Sequence, residues 1–128
     1  MDAVNKKILI IDDDNRNIFA LTLVLKSRGY QCISSVNAIK GLKILSESPD
    51  IGLVLMDMMM PEMDGYQAIK EIRQNSATPD IPIIAVTAQA MAGDREKCLE
   101  AGADSYISKP IDVDELLKLL NRYLKKAA

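Results

Sequence analysis

Four apolar stretches of this chain each stop at a residue that can do chemistry. Lys7-Ile8-Leu9-Ile10-Ile11 runs into Asp12-Asp13-Asp14, and Ile51-Gly52-Leu53-Val54-Leu55-Met56 runs into Asp57. Ile81-Pro82-Ile83-Ile84-Ala85-Val86 ends at Thr87, and Ala103-Asp104-Ser105-Tyr106-Ile107-Ser108 ends at Lys109. Carboxylates, a hydroxyl and an ammonium gathered in one place suit a divalent cation and a phosphoryl group. Mg2+ takes about six oxygen ligands and keeps several waters, usually using one or two carboxylates plus phosphate. An aspartate can attack phosphorus and become an aspartyl-phosphate. Phosphoryl transfer then needs in-line positioning and neutralisation of the equatorial oxygens.

These residues act together only if the elements carrying them share a rim. Short Ile- and Val-rich runs separated by helix-length segments read as strands of a buried parallel sheet. The C-terminal ends of parallel strands lie on one side, where open α/β sheets bind their ligands. Strands are expected at Lys7–Asp12, Gln31–Ser35, Ile51–Asp57, Pro82–Thr87 and Ser105–Lys109, the second short and mixed like an edge strand. Helices are expected at Asn15–Arg28, from the N-cap Asn37 to before Pro49, at Gly65–Asn75, at Met91–Glu100 and from Asp112 to the end. Gly29 and Gly102 suit helix stops, and Asp112-Val113-Asp114-Glu115 has the spacing of a capping box. Five βα units with right-handed crossovers make a three-layer α/β sandwich.

Composition narrows the chemistry. The chain has 128 residues, 48% hydrophobic and 27% charged, enough for one domain, expected to span 1–128. It contains no histidine, which excludes a Ser-His-Asp triad, a Cys-His pair, a His-ligated zinc and a phosphohistidine carrier. The glycines allow neither G-x-G-x-x-G nor G-x-x-x-x-G-K-[ST], so the usual nucleotide-binding signatures are absent. A net charge of −2 gives no case for nucleic acid or an anionic membrane as partner. No apolar run approaches the roughly 18 residues of a membrane span, and no signal-peptide pattern opens the chain. A cytoplasmic protein is expected, with Cys32 and Cys98 as reduced, buried thiols.

At these residues the chain resembles the receiver domains of bacterial two-component response regulators, chemotaxis regulators among them. The matching stretches are Ile11-Asp12-Asp13, Met56-Asp57-Met58-Met59-Met60-Pro61-Glu62-Met63-Asp64-Gly65, Ala85-Val86-Thr87-Ala88 and Tyr106-Ile107-Ser108-Lys109-Pro110. The resemblance covers nearly the whole chain. It implies a flavodoxin-like sheet of order 2-1-3-4-5 flanked by five helices. It implies that Asp57 accepts a phosphoryl group from a phosphohistidine on a kinase or phosphotransfer protein. Asp12, Asp13, Asp57 and the backbone carbonyl of Met59 would hold Mg2+. Lys109, followed by a cis bond to Pro110, would pair with the phosphoryl group. Thr87 would move toward the phosphate, and Tyr106 would follow it inward. Such a domain is a phosphoacceptor that assists its own chemistry, not a free-standing enzyme.

Plainer readings stand beside these. Asp14 suits an N-cap, Tyr106 suits packing, and Met56 with Met58 to Met60 suit core and loop packing. The principal rival is a haloacid-dehalogenase-type phosphatase, with Asp12 as nucleophile and Asp14 as general acid. That reading leaves Asp57 and its Met-Pro-x-Met-Asp-Gly loop without a role. Two surfaces complete the expectations. Ile18, Leu21 and Leu25 form a core stripe on helix 1, whereas Phe19 and Leu23 share another face and suit docking of the phosphodonor. Output to a downstream protein is expected from the helix 4–strand 5–helix 5 face. Met59 offers an apolar side chain near the approach of a hydrolytic water, and Gln89 is placed to orient one.

Overall fold

The computed structural model describes residues 6–88 and 93–124. Strands β1 (Lys7–Ile11), β2 (Gln31–Ser35), β3 (Ile51–Asp57), β4 (Ile83–Thr87) and β5 (Ser105–Ser108) alternate with helices. The helices are α1 (Asn15–Ser27), α2 (Ala38–Glu47), α3 (Gly65–Gln74), α4 (Asp94–Ala101) and α5 (Val113–Leu124). All strand pairs are parallel, in the expected order β2-β1-β3-β4-β5.

Successive strand side chains point to opposite faces, and this splits the core in two. Ile8, Ile10, Leu53 and Leu55 pack with Leu21 and Leu25 of α1 and Leu116 and Leu120 of α5. Leu9, Ile11, Val54 and Met56 pack with Leu45 of α2, Ile69 and Ile72 of α3 and Cys98 of α4. Each fully buried Leu or Ile contributes about 1.5–3 kcal/mol over leaving it in water. The two-sided burial explains why β1 and β3 read as unbroken apolar runs. Met56, Met58 and Met60 are buried in the second core, as packing residues. Cys32 is half-buried and packs on the α1/α5 side, so the two free thiols lie on opposite faces of the sheet. The expectation that both are buried holds only for Cys98.

Side chains fix where helices begin. Asp14 accepts the Arg16 N–H, Asn37 that of Lys40, and Asp64 that of Gln67. Asp112 accepts the N–H groups of Asp114 and Glu115. Such caps contribute on the order of 1 kcal/mol each. Asp14 therefore takes its capping role. β4 starts at Ile83 because Pro82 has no N–H to pair; its carbonyl accepts from Val54 instead. Helix 4 was expected from Met91, but α4 is described from Asp94, and Met91 lies outside the described residues.

Arg73 of α3 ties distant segments together. Its guanidinium donates to the carbonyls of Pro79, Ile81 and Gly102 and pairs with Asp104 at 2.9 Å. Asp104 also accepts the Ile83 N–H, which fixes the start of β4 against the turn before β5.

Candidate functional site

Register brings the acids together. Ile11 of β1 is paired with Met56 of β3, so the next residues, Asp12 and Asp57, leave the sheet side by side. Pairing continues beyond the strands: the Asp12 N–H donates to Ser35, that of Met58 to Val86, and that of Lys109 to Thr87. Asp12, Asp57, Thr87 and Lys109 therefore share one rim. Asp12 and Asp57 are each only 3% exposed, Thr87 is buried, and Asp13 is exposed. One carboxylate oxygen from each of Asp12, Asp13 and Asp57 lies within 4.8 Å of the others.

Each buried acid has fixed partners. Asp12 accepts the Asp14 N–H at 2.8 Å and the Asn17 side-chain amide at 2.6 Å. Asp57 accepts the Met59 N–H at 3.1 Å. The Lys109 ammonium lies 3.5 Å from Asp12 and 3.6 Å from Asp57, bridging the pair. Burial pushes the Asp57 carboxyl from its ordinary 3.8 up to about 6. The Met59 N–H and Lys109 oppose that rise, while the neighbouring charges of Asp12 and Asp13 add to it.

This donor set fits Mg2+. Three carboxylates against one ammonium leave two negative charges, the charge one divalent cation neutralises. Asp12, Asp13 and Asp57 each offer a carboxylate oxygen to such an ion, with water completing the shell. Gly65 makes the close packing behind the site possible. A Cβ there would lie 2.7 Å from Met58 Cα and 2.8 Å from the Asp57 carbonyl oxygen.

The remaining sequence-derived residues fall as follows. Lys109 and Pro110 are joined by a cis peptide bond. Tyr106 lies half-buried on β5 against the α4 side of the core, near Asp94 and Cys98, and burial pushes its hydroxyl pKa up. Phe19 and Leu23 are both exposed, at 66% and 54%, while Ile18, Leu21 and Leu25 are buried. Gln89 lies outside the described residues. Asn17 was missed by sequence reading. The available signal was its position in the first turn of a helix directly after the acids.

The sequence profile of the response regulator receiver domain matches residues 8–121. The chain is 40% identical over 125 residues to the sensor histidine kinase RcsC of Escherichia coli, covering 98% of this chain but only 13% of that protein. It is 35% identical over 123 residues to the polar-differentiation response regulator DivK of Brucella anthropi, covering 95% of this chain and 98% of that one. Among solved structures, the receiver domain of the Pseudomonas aeruginosa sensor histidine kinase PA1611 superposes with a TM-score of 0.86 at 35% identity. That likeness covers 94% of this chain and 98% of the other, which holds a magnesium ion in its active-site cleft. With a profile match across most of its length and relatives of this kind, the chain belongs to the response regulator receiver domain family.

Proposed function

We propose that the chain is one receiver unit, 1–128, that takes a phosphoryl group from a phosphohistidine protein onto Asp57 and switches its binding to a downstream protein. The observation that carries this is the rim itself: Asp57, buried beside Asp12 and Asp13, with the Lys109 ammonium 3.6 Å away. An Asp57 oxygen forms the new bond to phosphorus as the P–N bond of the donor breaks. The leaving imidazole nitrogen keeps that electron pair. Asp12, Asp13, Asp57 and the Met59 carbonyl would hold Mg2+, which supplies charge neutralisation at the phosphoryl oxygens. Lys109 would pair with the phosphoryl group and the Thr87 hydroxyl would close on it. The burial of Asp57 keeps bulk water from the reacting atoms.

The haloacid-dehalogenase reading loses its footing in this arrangement. Asp14 caps α1 through the Arg16 N–H, and Asp57, which that reading leaves idle, sits at the centre. Incubation with acetyl phosphate and Mg2+, followed by mapping of the modified residue, tests the point. Label is expected on Asp57 and lost in Asp57→Asn. Label on Asp12 would overturn the reading.

Phe19 and Leu23 support docking of the protein donor on α1, since both side chains are exposed there. Phe19→Ala with Leu23→Ala should slow transfer from a phosphohistidine protein and spare labelling by acetyl phosphate. Equal loss with both donors would make the pair structural. For output, the supported route is the α4–β5–α5 face through Thr87 and Tyr106. α4 has eight residues, only Cys98 buried and no side-chain N-cap bond, so its local stability is low. Phosphorylation should change hydrogen exchange in α4 more than in α2; equal changes would remove that support. No described helix is long and apolar enough to cross a membrane. A site of action in the cytoplasm, with no membrane or nucleic-acid partner, is part of the proposal.

A further inference from the structure

Three donors converge on the Asp12 carboxylate, and they are not equivalent. Oδ1 accepts the Asp14 N–H at 2.8 Å. Oδ2 accepts the side-chain amide of Asn17 at 2.6 Å and has the Lys109 ammonium at 3.5 Å. An ammonium that commits to a carboxylate closes to about 2.7–2.9 Å. Lys109 has closed on neither acid, since it also lies 3.6 Å from Oδ2 of Asp57. Asp12 is only 3% exposed, so its charge depends on these partners rather than on water.

The start of α1 explains why Asn17 is free to reach Asp12. Asp14 is the N-cap, and Asn17 is the third residue of the helix. In a capping box the side chain at that position reaches back to accept the N-cap N–H. Here Asp12 already accepts that N–H, and the Asp14 carboxylate takes the N–H of Arg16. The half-buried Asn17 side chain turns its amide to Asp12 instead. A carboxylate only accepts hydrogen bonds, so the nitrogen end of the amide must face it. The amide is neutral, so it satisfies Oδ2 without altering the charge of the rim.

We propose that Asn17 is a positioning residue for the chemistry at Asp57: by occupying Oδ2 of Asp12, its amide keeps Lys109 from closing on Asp12 and leaves the ammonium poised for an incoming phosphoryl group. This rests on the phosphoacceptor reading of Asp57 and adds a residue to the machinery of that site. When Lys109 moves to the phosphoryl oxygens, Asp12 keeps the hydrogen bonds from Asp14 and Asn17. Without the amide, Lys109 is the side-chain donor left to Oδ2 among the described residues, and it must break a short charge-assisted bond to leave. A hydrogen bond to a charged group is worth roughly tenfold or more in an equilibrium.

The test uses Asn17→Leu, which keeps the volume, removes the donor and keeps water out. Asn17→Ala takes its place if the leucine variant fails to fold. Each is combined with Lys109→Met. Labelling is by acetyl phosphate with saturating Mg2+: an Asp57 oxygen bonds to phosphorus as the P–O bond of the donor breaks, and acetate leaves with that electron pair. Loss of the amide should slow labelling about tenfold when Lys109 is present. In the Lys109→Met background the same change should cost no more than about twofold, because there is no ammonium left to restrain. Urea unfolding in a chelator reads the same competition without phosphate or metal. Lys109→Met should lower the midpoint more when the amide is absent, because the ammonium has then closed on Asp12. Labelling of Asn17→Leu at the wild-type rate would overturn the proposal. A loss of the same size with and without Lys109 would also overturn it, making Asn17 a structural residue that acts on Asp12 alone. Strictly additive midpoint losses would do the same. Absence of Asp57 label on the wild type is a different result, which strikes the phosphoacceptor reading itself.

Discussion

Replacing Asp57 by asparagine should stabilise the protein, and the gain should depend on pH and on Mg2+. Burial, reinforced by Asp12 and Asp13, lifts the Asp57 carboxyl from 3.8 to about 6 despite the Met59 N–H and Lys109. The folded protein therefore holds that proton more tightly than the unfolded chain does. The stability this contributes is fully present below 3.8 and is lost as pH rises through about 6. At about 1.4 kcal/mol per pH unit, the ionised carboxylate costs the fold about 3 kcal/mol near neutrality. Asparagine keeps the shape and an acceptor for the Met59 N–H but cannot ionise. In the presence of a chelator near neutrality, Asp57→Asn should be more stable by up to about 3 kcal/mol. With a slope of about 1–3 kcal/mol per molar urea, a gain of that full size raises the midpoint by about 1–3 M. The advantage should fade as pH falls from about 6 towards 4, because the wild type then protonates Asp57 itself. Excess Mg2+ near neutrality should narrow the gap by binding the wild type more tightly than the variant. An asparagine variant no more stable than wild type, or an advantage that persists unchanged on acidification, would refute the account of a carboxylate strained by burial and like charge.

Asp13→Asn should weaken Mg2+ binding by roughly tenfold, about 1.4 kcal/mol, and slow acetyl phosphate labelling in parallel; titration calorimetry showing unchanged affinity would remove Asp13 from the ligand set. Arg73→Ala strips the donors from the Pro79, Ile81 and Gly102 carbonyls and from Asp104, and should cost about 2–4 kcal/mol in urea unfolding. Arg73→Lys should recover only part of this, since one ammonium cannot span the same acceptors. Gly65→Ala forces a methyl against the backbone of Asp57 and Met58, and should cost about 1–3 kcal/mol and slow phosphorylation, because the displaced atoms carry the acceptor. A Gly65→Ala protein with normal stability and normal labelling would show that the backbone there has room to yield.

The sequence by itself determined the elements and their direction. Apolar runs ending at Asp12, Asp57, Thr87 and Lys109 are strands whose polar ends meet, because period, burial on both faces and helix-length crossovers are local properties of the chain. The stripe of Ile18, Leu21 and Leu25 and the caps at Asp14, Asn37 and Asp112 are equally local, acting over two to four residues. Only the tertiary structure decided what those ends do to one another. The pairing of Ile11 with both Ser35 and Met56 sets the spacing of the acids, and no local rule contains a register between segments this far apart in the chain. From the meeting of these strand ends follow the raised pKa of Asp57 and the Lys109 bridge. The Arg73 clamp, which reaches 29 residues ahead to Gly102, is of the same kind. Exposure is also a tertiary outcome. Helical spacing separates Phe19 and Leu23 from the core stripe, but only the packing of α1 on the sheet leaves both in water. Val36 and Ile39, around the start of α2, are likewise left exposed by the packing.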